Sequence, residues 1–145
     1  MRPGDLDRIM EIEESSFGSD AYDRKLFAAY LRNCGEFALV AEDRRIVRAY
    51  LIGCARGERA ELVSIAVDPT VRGKGAASAL IEGFFRRLRT RGIIRVGLMV
   101  KCSNQAAQSL YRKHGFVKVR RVFGYYEDGS DGLLMARAFH SRSAG

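Results

Sequence analysis

The run SIAVDPTVRGKGAASALI, from Ser64 to Ile81, constrains the fold more than any other part of the chain. An apolar stretch gives way to a turn with two glycines, Gly73 and Gly75. A helical pattern follows, with Ala77, Leu80, Ile81, Phe84, Phe85 and Leu88 on one stripe and Glu82, Arg86 and Arg89 away from it. A strand that enters a helix through so short a turn leaves the first helical amides free, and the helix dipole adds positive potential there. Such an end suits an anion, above all a phosphate. The two glycines admit close backbone approach, Ala76 and Ala77 keep the first turn slim, and Arg72 and Lys74 add charge. The turn is not a Walker loop, because Gly75 stands where a magnesium-binding serine or threonine belongs. Nor is it a dinucleotide fingerprint, whose third glycine would fall at Ser78.

The rest of the pattern fits one domain over residues 1–145, a length that buries roughly 70% of the unfolded surface. GDLDRIMEIEESSF carries Leu6, Ile9, Met10 and Phe17 on a helical stripe, and SDAYDRKLFAAYLRN repeats it through Leu26, Phe27, Tyr30 and Leu31. EFALVAE and IVRAYLIGCAR read as a hairpin, and AELVSIAVD as a strand buried on both faces. IRVGLMV, NQAAQSLYRKH, GFVKVRRVFGYY and GLLMARAF supply a strand, a helix and two further strands. Strands and helices mix without strict alternation, which predicts an α/β (α+β) domain: one mixed sheet with helices against it.

Composition excludes several classes. No apolar run reaches the length of a membrane span, and MRPGDLDRIM has no signal-like core. Cys34, Cys54 and Cys102 lack metal-like spacing and read as three reduced thiols in a cytoplasmic protein. With His114 and His140 the only histidines, no metal site is expected. The net charge of +8 favours anionic partners without naming one. The clusters RRLRTR and KVRR come without an aromatic-rich RNA signature or a zinc finger, so nucleic acid is not the expected partner.

A second motif narrows the reading. SNQAAQSLYRKHGF sets out Asn104, Ala107, Leu110, Tyr111, Gly115 and Phe116 as N-x-x-A-x-x-L-Y-x-x-x-G-F. Together with the upstream V-D-P-x-x-R-G-K-G-A-A, it resembles the GNAT acetyltransferase superfamily, and within it the RimI-type protein N-terminal (ribosomal-protein-alanine) acetyltransferases. The resemblance runs from RPGDLD to LLMARAF. It implies the GNAT fold, a mostly antiparallel mixed sheet with splayed central parallel strands and about four helices. It also implies acetyl-CoA as acetyl donor, with the pyrophosphate on the amides of Arg72, Gly73, Lys74, Gly75, Ala76 and Ala77. Backbone atoms of Ile65 and Val67 then bond the pantetheine arm. Asn104 matches the family asparagine that bonds the same arm, and its position equally suits an N-cap.

The reaction so implied is direct acetyl transfer to a primary amine, either the N-terminal α-amine of a protein or a small-molecule amine. A ribosome-associated acceptor falls within the first class. Tyr111 matches the family's general acid, and the Val67 amide its oxyanion donor. The base departs from the pattern: LMVKCSN places Met99 where RimI-type enzymes often carry glutamate. Glu61 is the substitute. It is read as sharing strand parity with Val63, Ile65 and Val67, in surroundings that raise its pKa; Glu14 or a water chain is the fallback. For the acceptor, the resemblance points to Tyr125 and Tyr126 in FGYYEDGSDG, with Phe17 and Tyr22 opposite, while the acidic loop Glu127 to Asp131 suits a small cation. Met99 also leaves open a non-catalytic acyl-CoA-binding module. The family's first strand is almost missing before RPGDLD, which implies a shortened sheet edge or a native chain that begins earlier.

Overall fold

The computed structural model describes residues 1–139, so His140 lies outside it. Helices α1 (Leu6–Phe17) and α2 (Arg24–Cys34) come first, then strands β1 (Ala38–Asp43), β2 (Ile46–Arg56) and β3 (Arg59–Val67). Helix α3 (Ala76–Thr90), strand β4 (Arg95–Lys101), helix α4 (Gln105–Lys113) and strands β5 (Val117–Val122) and β6 (Gly132–Ala138) complete the chain. The six strands form one sheet in the order β1-β2-β3-β4-β6-β5. Every neighbouring pair is antiparallel except β3 with β4. This is the expected mixed sheet with four α-helices.

Helices cover both faces. On one, α3 sinks Leu80, Ile81, Phe84, Phe85 and Leu88 against Leu51, Leu62, Ile65, Val96 and Leu98, and α4 adds Tyr111. On the other, Ile9, Ile12 and Phe27 from α1 and α2 meet Val47, Tyr50, Ile52 and Ala66. Fully burying aliphatic and aromatic side chains of this size contributes about 1.5–3 kcal/mol each, so both layers are major contributors to stability. His114, at the end of α4, ties that helix to α3. Its Nδ1 lies 2.7 Å from a Glu82 carboxylate oxygen and its Nε2 lies 2.9 Å from the Ser78 hydroxyl.

Two features escape the simple pattern. Residues Ile52 and Gly53 pair with Ser64 and Leu62, so Val63 is an extra residue in β3. This bulge switches the faces. Leu62, Ile65 and Val67 pack on the α3 side, while Val63 and Ala66 pack on the α1–α2 side. Glu61, one residue before Leu62, therefore does not share a face with Ile65 and Val67, because simple alternation is broken at the bulge. Gly53 sits opposite, where the edge of the Phe84 ring occupies the space a side chain would need.

The second concerns the cysteines. Cys34, at the end of α2, is paired with Cys54 of β2 as a disulfide, with Cα atoms 5.1 Å apart. Such a separation lies within the range a disulfide spans. The reading of three reduced thiols is thus corrected to one bridge and one free thiol, Cys102. The sequence separation of 20 residues hides the contact, which only the packing of α2 on β2 creates.

Gly53→Ala forces a methyl group into the Phe84 ring and against the Glu61 carbonyl, and overpacking of this kind costs about 1–3 kcal/mol. The expected outcome is a cooperative unfolding transition lowered by roughly 3–10 °C, measured by circular dichroism or calorimetry.

Candidate active site

The site begins where β3 and β4 part. Their parallel pairing covers only Arg59–Arg95, Ala60–Val96 and Glu61–Gly97. Beyond it β4 continues to Lys101 paired with β6 alone, and β3 continues to Val67 paired with β2 alone. The Asp68 amide donates to the Arg48 carbonyl of β2 at 2.7 Å. Amides alternate sides along a strand, so those of Val67 and Ile65 point the other way, into the opening between the strands. The Val67 carbonyl faces the same side and accepts from Arg72 Nε at 3.2 Å.

Below this opening lies the glycine turn. Gly73 and Gly75 have φ of 83° and 84°, a left-handed backbone that side chains rarely adopt. A methyl group built on either meets nothing within 4 Å, so the turn's surface is open to an incoming group. Gly75 caps α3, and the amides of Ala76, Ala77 and Ser78 form its first turn. Arg72 and Lys74 are exposed beside them. A phosphate needs such amides, an aligned dipole and nearby cations; the residues present fit one.

Asp68 anchors the turn from below. It accepts from the Thr70 amide and hydroxyl, both at 2.9 Å, from Arg48 at 3.3 Å and from the Arg8 guanidinium of α1. The Thr70 amide, with Thr70 Oγ1, Arg8 and Arg48, holds the carboxyl down to about 2 against the drag of desolvation. The VDP motif thus works as a structural clasp among α1, β2 and the turn.

Asn104 caps α4, its Oδ1 accepting from the Ala107 amide at 3.1 Å. That leaves the NH2 of this exposed residue available as a donor. Tyr111 is buried in the α3-side core, its ring edge-on to Phe116 at 5.8 Å. Burial, with Tyr126 nearby, pushes its phenol well above the usual tyrosine value.

The opposite face holds a cluster of phenols. Tyr125 and Tyr126, in the turn after β5, have ring centroids 5.0 Å apart and an interplanar angle of 85°. Tyr22, from the α1–α2 connection, stands across from them. Desolvation, then Tyr125 and Tyr30, push its phenol up to about 12. Desolvation, then Tyr125 and Tyr22, do the same to Tyr126. Glu61 belongs to this face: its tip is exposed, Tyr30 and Tyr22 are its neighbours, and partial burial raises its carboxyl. The expectation of a raised Glu61 holds, though the walls are tyrosines rather than the Ile65–Val67 surface. Phe17 ends α1 at the surface and, among the described residues, makes no close ring contact with Tyr22, Tyr125 or Tyr126.

Met99 lies against Gly132, which the Tyr125 Cβ also approaches. Glu14, the fallback base, is exposed on the rim of a cavity formed with Met10, Gly18, Ala21 and Arg24. Its neighbour Glu13 is the carboxylate that turns inward. Glu13 is 1% exposed and accepts from Ser64 Oγ and from the Tyr22 amide, both at 2.9 Å, and from the Tyr50 hydroxyl. A buried carboxylate among apolar neighbours costs several kcal/mol unless it is well hydrogen-bonded. Here three donors serve it, and one of them fixes the connection that carries Tyr22. The sequence signal for Glu13 is weak: a polar residue on an otherwise apolar face, next to Ile9 and Ile12.

The two aspartates of the acidic loop are satisfied within the fold, while Glu127 is exposed. Asp128 pairs with Lys101 at 3.0 Å and accepts from the Ser130 amide and hydroxyl; Asp131 pairs with Arg121 and accepts from the Gly124 amide at 2.9 Å. Among the described residues no group of His, Cys, Asp and Glu is arranged to hold a metal, and no helix is long and apolar enough to cross a membrane.

A splayed parallel pair and a phosphate-ready helix start fit an acetyl-CoA-dependent acetyltransferase, and similarity to known proteins establishes that class. The chain belongs to the acetyltransferase (GNAT) family, whose model matches residues 6–116. It is 30% identical, over 94% of its length and 89% of the relative's, to an N-alpha-acetyltransferase of Saccharolobus solfataricus. It is also 30% identical, over 91% of its length and 90% of the relative's, to the ribosomal protein bS18-alanine N-acetyltransferase of Salmonella typhimurium. Among solved structures, Ard1 from Thermoplasma volcanium superposes with a TM-score of 0.93 at 27% identity, covering 97% of this chain and 95% of that one.

Asp68→Asn tests the clasp. Asp68 is depressed in the fold, so its contribution is present above about pH 4 and is lost as pH falls through 2. The Asp68→Asn variant is expected to be less stable at neutral pH, to lose less stability between pH 4 and 2, and to bind acetyl-CoA more weakly. Urea titrations across pH and isothermal calorimetry measure these outcomes.

Proposed function

We propose that the chain acetylates the N-terminal α-amine of a protein or peptide. The observation that carries this reading is the pair of tyrosine-bearing walls, Tyr22 on one side and Tyr125 with Tyr126 on the other, meeting over Glu61 beside the strand opening. Such walls offer hydroxyls and flat rings along a groove, which suits the first residues of an extended peptide. The N-alpha-acetyltransferase and bS18-alanine N-acetyltransferase relatives point to the same acceptor class, a ribosomal protein included. The rival reading, a cationic small amine drawn by the loop Glu127 to Asp131, is weakened because Asp128 and Asp131 are each paired within the fold, which leaves Glu127 as the loop's one acid without an ion pair among the described residues.

When bound, acetyl-CoA supplies a thioester carbonyl activated toward attack. The turn from Arg72 to Ala77 would hold its pyrophosphate, and the Ile65 and Val67 backbone and the Asn104 NH2 would hold the arm. The Val67 amide, aimed into the opening, is placed to donate to oxygen that gains charge during transfer. Glu61 accepts the proton of the acceptor ammonium. Its raised pKa makes it a better base than an ordinary carboxylate, and the free α-amine, with a pKa of about 7.7–8.0, gives up its proton readily. Tyr111 stays protonated throughout the working range because burial raises it. Its O–H stabilises the departing sulfur chiefly as a hydrogen-bond donor. Complete proton transfer to a thiolate of ordinary pKa, about 8.5, would run uphill from so weak an acid.

Turnover on a panel of N-terminal peptides and small amines, read by thiol release, tests the reading. Peptides are expected to be the better acceptors; turnover confined to small amines overturns it. Tyr111→Phe is expected to lower kcat about 100-fold with acetyl-CoA affinity unchanged. In the wild type, activity falls as pH drops through the raised Glu61 value. Glu61→Gln is expected to be slower by about 100-fold and to lack that acidic limb, retaining only the limb set by the acceptor amine. A Glu61→Gln profile that keeps both limbs assigns the base elsewhere.

A further inference from the structure

We propose that Lys101 is a positioning and specificity-determining residue, an ionic strap that holds the two walls of the acceptor groove together and offsets part of the negative charge on their rim. Lys101 ends β4 on the strand opening. Its Nζ lies 2.6 Å from Asp20 Oδ2, in the α1–α2 connection, and 3.0 Å from Asp128 Oδ2, in the turn between β5 and β6. The same ammonium lies 5.2 Å from the centre of the Tyr126 ring. Among the described residues no other side chain bonds to both walls. Asp20 sits two residues before Tyr22, and Asp128 two residues after Tyr126, so the strap acts directly on the phenols proposed to grip the acceptor.

Its partners are divided in their tasks. Asp128 uses Oδ1 for the Ser130 amide and hydroxyl, which shapes its own turn, and gives Oδ2 to Lys101. Asp20 terminates the single turn Gly18–Asp20 that follows α1. The side chains of Lys101 and Asp20 are 25% and 28% exposed, and Asp128 is more open at 52%. Ion pairs this exposed contribute little to global stability. A shared ammonium between two loops instead sets the distance between them. It also offsets one of the two carboxylate charges at the mouth of the groove, so its removal leaves a rim that draws cationic small amines more strongly. A strand end with nothing to strap has no need of a cation placed between two acids from opposite walls.

This inference rests on the peptide reading for its kinetic arm, so its test has a second arm that does not. Lys101→Met is expected to raise the peptide KM about tenfold, leave acetyl-CoA affinity unchanged and raise turnover of a polyamine such as spermidine. Lys101→Arg, which keeps the charge and can span both acids, is expected to restore the peptide KM. In hydrogen exchange, residues 18–23 and 123–131 of the Lys101→Met variant are expected to exchange at least tenfold faster, with α3 unaffected. Unchanged exchange in either segment overturns the strap whatever the acceptor. Faster exchange in both with an unchanged peptide KM overturns the specificity role. A wild type that acetylates only small amines removes the peptide reading, and the exchange arm still decides whether Lys101 joins the walls.

Discussion

The parallel contact between β3 and β4 is three residue pairs long, and everything functional depends on its ending there. A parallel ladder carried farther would satisfy the backbone of Ile65 and Val67 with β4 and close the opening. Instead the two strands lean on different partners, β2 and β6, whose ladders run on past the point of divergence. The sheet stays stable because each splayed strand keeps one paired edge. The opening is therefore a rigid feature: its walls are ordinary antiparallel pairs, and its polar groups are held facing a ligand at no further cost in order.

The bulge at Val63 serves the same end. With regular alternation, Glu61 would face α3 together with Ile65 and Val67, inside the hydrophobic layer that includes Phe84 and Phe85. The extra residue turns Glu61 to the α1–α2 face while keeping Leu62 and Ile65 in the α3 core. Gly53 makes this possible, since the Phe84 ring fills the position of its missing side chain. One glycine and one inserted residue so divide the strand between packing and chemistry. The backbone of Ile65 and Val67 faces the opening, the side chains of Leu62, Ile65 and Val67 face α3, and Glu61 faces the α1–α2 side near Tyr22 and Tyr30.

Much of this is legible in the sequence, for identifiable reasons. The strand–turn–helix of Ser64 to Ile81 and the α3 stripe follow from periodicity and from two glycines that need positive φ. Asn104 and Tyr111 follow from a motif with fixed spacing. What escapes is long-range. The Val63 bulge is not encoded by alternation, because Glu61, Leu62, Val63 and Ser64 read equally well either way; it shows only in the register against β2, where Ile52 and Gly53 pair with Ser64 and Leu62. The Cys34–Cys54 bridge depends on how α2 lies on β2. Glu13 and Lys101 look like surface charges, since no local pattern says that a residue 51 positions away, Ser64, or two acids from separate loops will complete them.

Charge placement completes the logic of the site. The net charge is +8, yet near the groove the cations are bound to acids: Lys101 to Asp20 and Asp128, Arg121 to Asp131, Arg8 and Arg48 to Asp68. Arg72 bonds a neighbouring carbonyl and the Ser16 hydroxyl, and Lys74 has no ion pair among the described residues. Arg72 and Lys74 thus keep positive charge without an ion pair at the helix start, which suits an anion there. The phenols of Tyr22 and Tyr126 on the other side stay uncharged at neutral pH, with the Glu61 carboxylate near Tyr22. On that side Glu61 and Glu127 keep no ion pair among the described residues, so unpaired acids remain there while unpaired cations remain at the helix start.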